Sequence, residues 1–124
     1  MLALNDPHEA YRRSEIDARV ASGSSADLVT FCLAQAIEGL GGAISAHGFN
    51  APTHRSKALT RALTAVTALE MGVDRKAPLA AALLQIYGSA RKALLDCVVH
   101  FDAARLAEVR QDFRDLQQAF AEAA

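Results

Sequence analysis

Apolar side chains recur along this chain at steps of three and four residues, which places them on single faces of helices. One set runs Leu28, Val29, Cys32, Ala36, Ile37, Leu40 and Ile44, and a second is Leu59, Leu63, Val66 and Leu69. The longest is Leu79, Leu83, Ile86, Tyr87, Leu94, Val98 and Phe101, and the last is Leu106, Val109, Phe113, Leu116 and Phe120. No stretch alternates apolar and polar residues as a half-buried strand would, so the pattern predicts helices alone.

Helix breakers stand between the sets. Ser22-Gly23-Ser24-Ser25 interrupts the chain before a helix beginning near Ala26, and Ser24 or Ser25 is placed to cap it. Gly48 to Pro52 reads as a loop, with Asn50 or Thr53 starting the next helix and Gly72 ending it. Asp74 through Pro78 forms the following connection, and Asp102 reads as an N-cap or break ahead of the last helix. Upstream, Asp6-Pro7-His8-Glu9 is a helix start: Asp accepts from the N3 amide, Pro fits the first turn and Glu9 reaches back. It predicts a short helix to about Arg19 or Val20. Gly39, Gly41 and Gly42 interrupt the first long set, each costing about 1 kcal/mol of helix propensity against Ala. The apolar period continues past them to Ile44, so they read as sites of close helix contact. The expectation is an all-α fold, an antiparallel four-helix bundle in residues 24–124 with an additional short N-terminal helix and linker in residues 1–23.

Composition sharpens this picture in three ways. A chain of 124 residues fits one domain with one core. Hydrophobic residues make up 52% of it and the mean hydropathy is +0.11. Those figures point to an exposed apolar groove, with the discount that alanine, the commonest residue, inflates both while burying little area. The net charge of −1, with acids and bases interspersed, offers no footprint for gripping phosphate backbones and argues against nucleic acid as a partner. The N-terminus lacks a basic region followed by an apolar core, and no apolar run approaches the roughly 20 residues of a membrane span. These features predict a cytoplasmic protein without direct membrane insertion.

Candidate chemistry is sparse. Cys32 and Cys97 stand alone in apolar helical patterns, with no spacing that makes a metal site, and read as small buried hydrophobes. His8, His47 and His100 make no metal spacing either, and no Ser, His and Asp set is evident, so neither a metal, a cofactor nor an enzyme is expected. Thr53-His54-Arg55-Ser56-Lys57-Ala58 resembles the His-x-x-Lys-Gly core of histidine phosphotransfer domains, where a neutral imidazole accepts a phosphoryl group. Against it, alanine follows Lys57, and His54 sits in a predicted first turn rather than well inside a helix. Tyr87 is open to two readings, a core tyrosine or a groove residue. Tyr11 and Ile16 are likewise either a staple on the bundle or part of a functional arm.

From Leu83 to Phe120 the chain carries, in order, Ile86-Tyr87, the basic pair Arg91-Lys92, Leu94, Asp102 and Leu106-Ala107-Glu108-Val109. Earlier stand Ala10-Tyr11 with Ile16, Ser24 through Leu28, and Lys57-Ala58 leading into Leu59, Leu63 and Leu69. Taken in order, these elements resemble the FliS family of flagellin export chaperones, over about Tyr11 to Phe120. The chain departs from the family pattern at Ser25 for a proline, Leu33 and Ser89 for tyrosines, Cys97-Val98 for Ala-Asn, and Phe120 for a terminal Trp.

The resemblance implies a chaperone that binds the disordered C-terminal segment of flagellin in the cytoplasm, one to one. It would prevent premature polymerisation and deliver its client to the membrane protein of the flagellar type III export gate. It implies client contacts by Tyr11, Ile16, Leu28, Tyr87, Leu94, Leu106 and Val109, while Arg91 and Lys92 are either an ordinary solvated face or a pair that steers an acidic client. The N-terminal arm would cover the empty groove, and the client-free protein could pair with a second copy. The competing readings are a phosphotransfer bundle acting through His54, or a dimerising helical adaptor that ignores flagellin.

Overall fold

The computed structural model describes residues 25–123, which form four helices and no strand. They are α1 (Ser25–Gly48), α2 (Pro52–Met71), α3 (Ala80–Val99) and α4 (Ala103–Ala123). Links of three residues at 49–51 and 100–102 force antiparallel neighbours, and the longer link at 72–79 joins α2 to α3. Each helix packs on the two beside it, α1 on α2 and α4, and α3 on α2 and α4, with no close backbone approach across either diagonal. This is the expected all-α antiparallel four-helix bundle. The short helix expected before Ser22, and the capping role of Ser24, lie outside the described residues.

The α1–α2 seam is the tightest. A Cβ built on Gly39 would lie 2.7 Å from the Ala62 backbone nitrogen and 2.9 Å from the Ala58 carbonyl oxygen, and one on Gly42 would lie 3.3 Å from the Ala58 Cβ. Gly39 therefore permits the close helix contact that its sequence context suggested. Ala36, Ala43, Ala62 and Ala65 continue the seam, all fully buried. Arg61 fastens it from the side, its Nε donating to Gln35 Oε1 at 3.0 Å and its Nη2 pairing with Glu38.

Within Ala26–Gly48 an 18-residue stretch has a mean hydropathy of 1.4, so α1 meets the length and composition of a membrane span. That corrects the expectation that no apolar run approaches this length. The bundle accounts for the apolarity: α1 packs on two helices at once, and Cys32, Leu33, Ala36, Leu40 and Ala43 are completely buried. Leu33 was missing from the predicted face, yet it belongs to the core.

Helix ends follow local chemistry. Asn50 adopts φ 52°, the Ala51 amide donates to the Ala46 carbonyl at 2.8 Å, and the Asn50 amide donates to His47 at 3.1 Å. This is a Schellman motif closing α1. Neither Asn50 nor Thr53 therefore caps α2; Ala51 stands at its N-cap without a side-chain bond, and Pro52 begins the helix. Asp102 does cap α4, its Oδ1 accepting from the Arg105 amide at 3.1 Å.

Two residues expected in the core of α3 are outside it. Leu79 precedes the first turn and is 64% exposed, while Val98 faces solvent. From Leu94, a step of three brings Cys97 inward and a step of four carries Val98 out, so Tyr87, Ala90, Leu94 and Cys97 make the inner stripe. Tyr87 meets Phe113 edge-on at 6.0 Å between centroids.

Gly39→Ala is expected to destabilise the protein by about 1–3 kcal/mol, since backbone atoms cannot yield to the new methyl, despite a gain of about 1 kcal/mol in helix propensity. Gly48→Ala meets nothing within 4 Å and should be neutral or slightly stabilising. Urea midpoints at unchanged slope separate the two, and a Gly39→Ala protein as stable as the parent would contradict the seam.

Candidate client-binding surface

The outer side of α3 is the least covered part of the bundle, because α4 approaches it only sparsely. Between α3 and α4 lies a cleft of about 320 Å³, walled by Ile86, Ala90, Val109 and Phe113 and rimmed by Gln85, Ser89 and Asp112. On the other side of α3, a groove of about 180 Å³ separates it from α2, with Leu59, Leu63, Leu94 and Cys97 inside and Arg55 at one end. A third, more open depression of about 740 Å³ surrounds the α3–α4 corner.

Three side chains join the groove to the corner depression. Leu95 is 46% exposed, Val98 68% and Val99 79%. Val98 lines the α2–α3 groove, while Leu95 and Val99 line the corner depression. The last two turns of α3 thus carry apolar residues on every side, more than the core beneath can cover.

Polar contacts hold the corner in shape. Asp96 accepts from Lys92 Nζ at 3.1 Å and from Arg105 Nη1 at 2.8 Å, tying α3 to α4. Hydrogen bonds from Arg105 and then Lys92 hold its carboxyl below the usual range. These groups are in solvent, so they position more than they stabilise. At the same end of the bundle, the Phe101 ring stacks on His47 at 4.2 Å, and the Arg55 guanidinium sits 5.4 Å from its centroid. Arg55 Nη1 is 3.0 Å from His47 Nδ1, which joins the start of α2 to the end of α1. Farther along the α2–α3 seam, Arg91 Nε donates to Glu70 Oε1 at 2.7 Å.

The residues expected to touch a client fall into distinct environments. Val109 lines the α3–α4 cleft, and Leu94, though buried, forms part of the α2–α3 groove. Tyr87 and Leu106 are core residues, with Tyr87 set behind the Phe113 that walls the cleft. Leu28 is half-buried against the core at the start of α1. Tyr11 and Ile16 lie outside the described residues.

Of the two readings of Tyr87, the structure supports the core one. Sequence reasoning missed Leu95 and Val99 and read Val98 as core. The signal was present in Leu94, Leu95, Cys97, Val98 and Val99, a run too continuous for a one-faced helix. His54 is exposed in the first turn of α2. Among the described residues no group of three His, Cys, Asp or Glu is placed to hold a metal ion.

A helical bundle with an apolar surface on one helix, and clefts on both its flanks, has the features that mark protein interaction sites in general. Comparison with known families agrees: the family described as "Flagellar protein FliS" matches residues 7–124, and the chain belongs to that family of flagellar chaperones. No curated protein matches the chain at a significant level.

Burial of the core has a consequence at high pH. Desolvation pushes the Cys32 thiol above its ordinary value, and it pushes the Tyr87 phenol up as well, with the nearby Cys32 adding to the effect. The folded state therefore keeps protons that the unfolded chain releases. The associated stability is fully present below the unfolded values of about 8.5 and 10 and is lost as pH rises through the folded ones. Thermal melts from pH 7 to 11 should show a falling midpoint above about pH 8.5, with a shallower fall for Cys32→Ala between there and pH 10. A midpoint independent of pH up to 11 would contradict this.

Proposed function

We propose that this protein is the export chaperone of flagellin. It binds the disordered C-terminal segment of newly made flagellin in the cytoplasm, one chaperone to one client. In doing so it keeps the segment from joining other subunits and presents the client to the membrane protein of the flagellar type III export gate. Family membership supports a flagellar client. The observation that carries the finer reading is the solvent-facing apolar surface of Leu95, Val98 and Val99, with a cleft on each side of the helix that bears it.

Such a surface suits helix-in-groove recognition. A client helix with apolar anchors at i, i+3, i+4 and i+7 lays one face against the bundle. Ordering a disordered segment costs about 2–5 kcal/mol, so several anchors must be buried together. The clefts are shallow and rimmed by few polar groups, which fits side-chain anchors better than an enclosed small molecule. In this reading Leu94 and Val109 meet the client directly, and Tyr87 and Leu106 hold the walls of the clefts from behind. Tyr11, Ile16 and Leu28 contribute from the N-terminal side. We further assign residues 1–23 as an arm distinct from the bundle, which covers the apolar surface when no client is bound. The mechanism uses no cofactor, and binding alone does the work.

Calorimetry with the C-terminal segment of flagellin from the same organism is expected to show saturable one-to-one binding with a negative heat-capacity change. Val98→Asp should weaken it at least about tenfold, the equivalent of about 1.4 kcal/mol, with the helical circular dichroism unchanged. The absence of both heat and complex would refute the assignment. For the arm, removing residues 1–22 should raise binding of a hydrophobic dye to the client-free protein, and unchanged dye binding would leave the surface without that cover.

A further inference from the structure

The ionisable residues are sorted by side of the bundle. Residues 52–99, which hold α2, α3 and their connection, contain seven Lys and Arg against three Asp and Glu, a net charge of +4. The remaining described residues, 25–51 and 100–123, hold three bases against seven acids, a net charge of −4. The near-neutral total conceals this division.

The three acids on the basic side are already engaged. Glu70 accepts from Arg91, Asp96 from Lys92 and Arg105, and Asp74 Oδ1 from the Lys76 amide at 3.0 Å. Of the seven bases, Arg61 also pairs with Glu38 of α1; the net surplus on this side is cationic, and Arg55 carries it to the α2–α3 groove. Arg55 lines one end of the groove, Arg91 stands farther along the same seam in its pair with Glu70, and Arg75 and Lys76 belong to the exposed connection beyond the seam. Arg55 is held by His47 and Phe101, an arrangement that occupies only part of its five N–H donors. A carboxylate lying across the mouth of the groove would meet a guanidinium already fixed in place. The α3–α4 cleft differs, because the charged residue on its rim is Asp112.

We propose that the two hollows flanking α3 read opposite charge, and that the α2–α3 groove selects an amphipathic helix whose apolar stripe is bordered by acidic residues. This rests on the reading of the α3 surface as a client-binding site and adds which client segment goes to which side. Electrostatic complementarity of this kind fixes register and orientation more than it adds affinity. It makes the basic side the first point of encounter for an acidic stretch of client.

The test uses the full chain and two synthetic 20-residue helical peptides with the same leucines at i, i+3, i+4 and i+7. One carries Glu beside the stripe and the other Lys. Fluorescence anisotropy at 50 mM salt should give about tenfold tighter binding of the Glu peptide, shrinking to less than about twofold at 500 mM as the charges are screened. The double variant Arg55→Gln with Lys76→Gln should lose at least about threefold of that preference while keeping its helical circular dichroism. Equal affinities, or preference for the Lys peptide, would overturn the proposal and leave the client surface standing. Failure of both peptides also overturns it, and if the flagellin segment fails as well, the underlying reading falls too. A salt-sensitive complex of two copies that excludes both peptides would assign the basic side to self-association instead.

Discussion

Gly39 of α1 lies so close to Ala58 and Ala62 of α2 that no side chain fits between them, and the layout of the bundle depends on that contact. Two helices that approach this closely bury their small residues completely and leave little room for large ones at the seam. The bulk of the core, Leu33, Leu40, Val66, Tyr87, Leu94, Leu106 and Phe113, is packed among the helices beside this seam. Because α1 also packs on α4, three of the four helices are drawn together around it. The fourth, α3, is reached by α2 and only sparsely by α4. The incomplete covering of α3 is thus a consequence of where the small residues were placed.

That incomplete covering leaves an apolar helix short of partners. In a bundle with no other role, the outer positions of α3 would be polar, and Leu95, Val98 and Val99 would stand out as aggregation liabilities. Ion pairs frame them instead. Asp96 with Lys92 and Arg105 fixes the corner next to Leu95 and Val99, and Arg91 with Glu70 fixes the seam above Leu94. Exposed pairs of this kind contribute little stability. Their effect here is geometric, since they fix where α4 and α2 stand against α3.

The bundle was legible in the sequence because it rests on period, and period survives without tertiary knowledge. The breaks at Gly48 to Pro52, Gly72 and Asp102 all mark helix ends, and the contact role of Gly39 followed from an apolar pattern that ran straight through it. The errors came where one turn can go either way. Asn50 was read as a helix start, but its tolerance of positive φ was used to end α1. Val98 was read as core, although a three-residue step from Leu94 already filled the inner position with Cys97. The site was harder to see, since a surface apolar residue and a buried one look alike in a sequence. Ser89, Cys97 and Val98, three of the places where the chain departs from the FliS pattern, all line the clefts.

Magnitudes decide how the apolar and charged parts of this surface divide the work. A fully exposed Val or Leu side chain gains about 1.5–3 kcal/mol on burial, and the three on α3 are about half to four-fifths exposed. Together they offer on the order of 3–6 kcal/mol, which only offsets the roughly 2–5 kcal/mol that ordering a disordered client consumes. The charges cannot supply the difference, because exposed pairs yield about 0.2–1 kcal/mol each. On the proposed client-binding role, tight binding therefore requires the client to fill the clefts on both flanks of α3 at once, with Ile86 and Val109 engaged on one side and Leu63 and Val98 on the other. A segment engaging one flank alone would be held weakly, and under the proposal made above the division of charge between the flanks would set which part of the client settles on each.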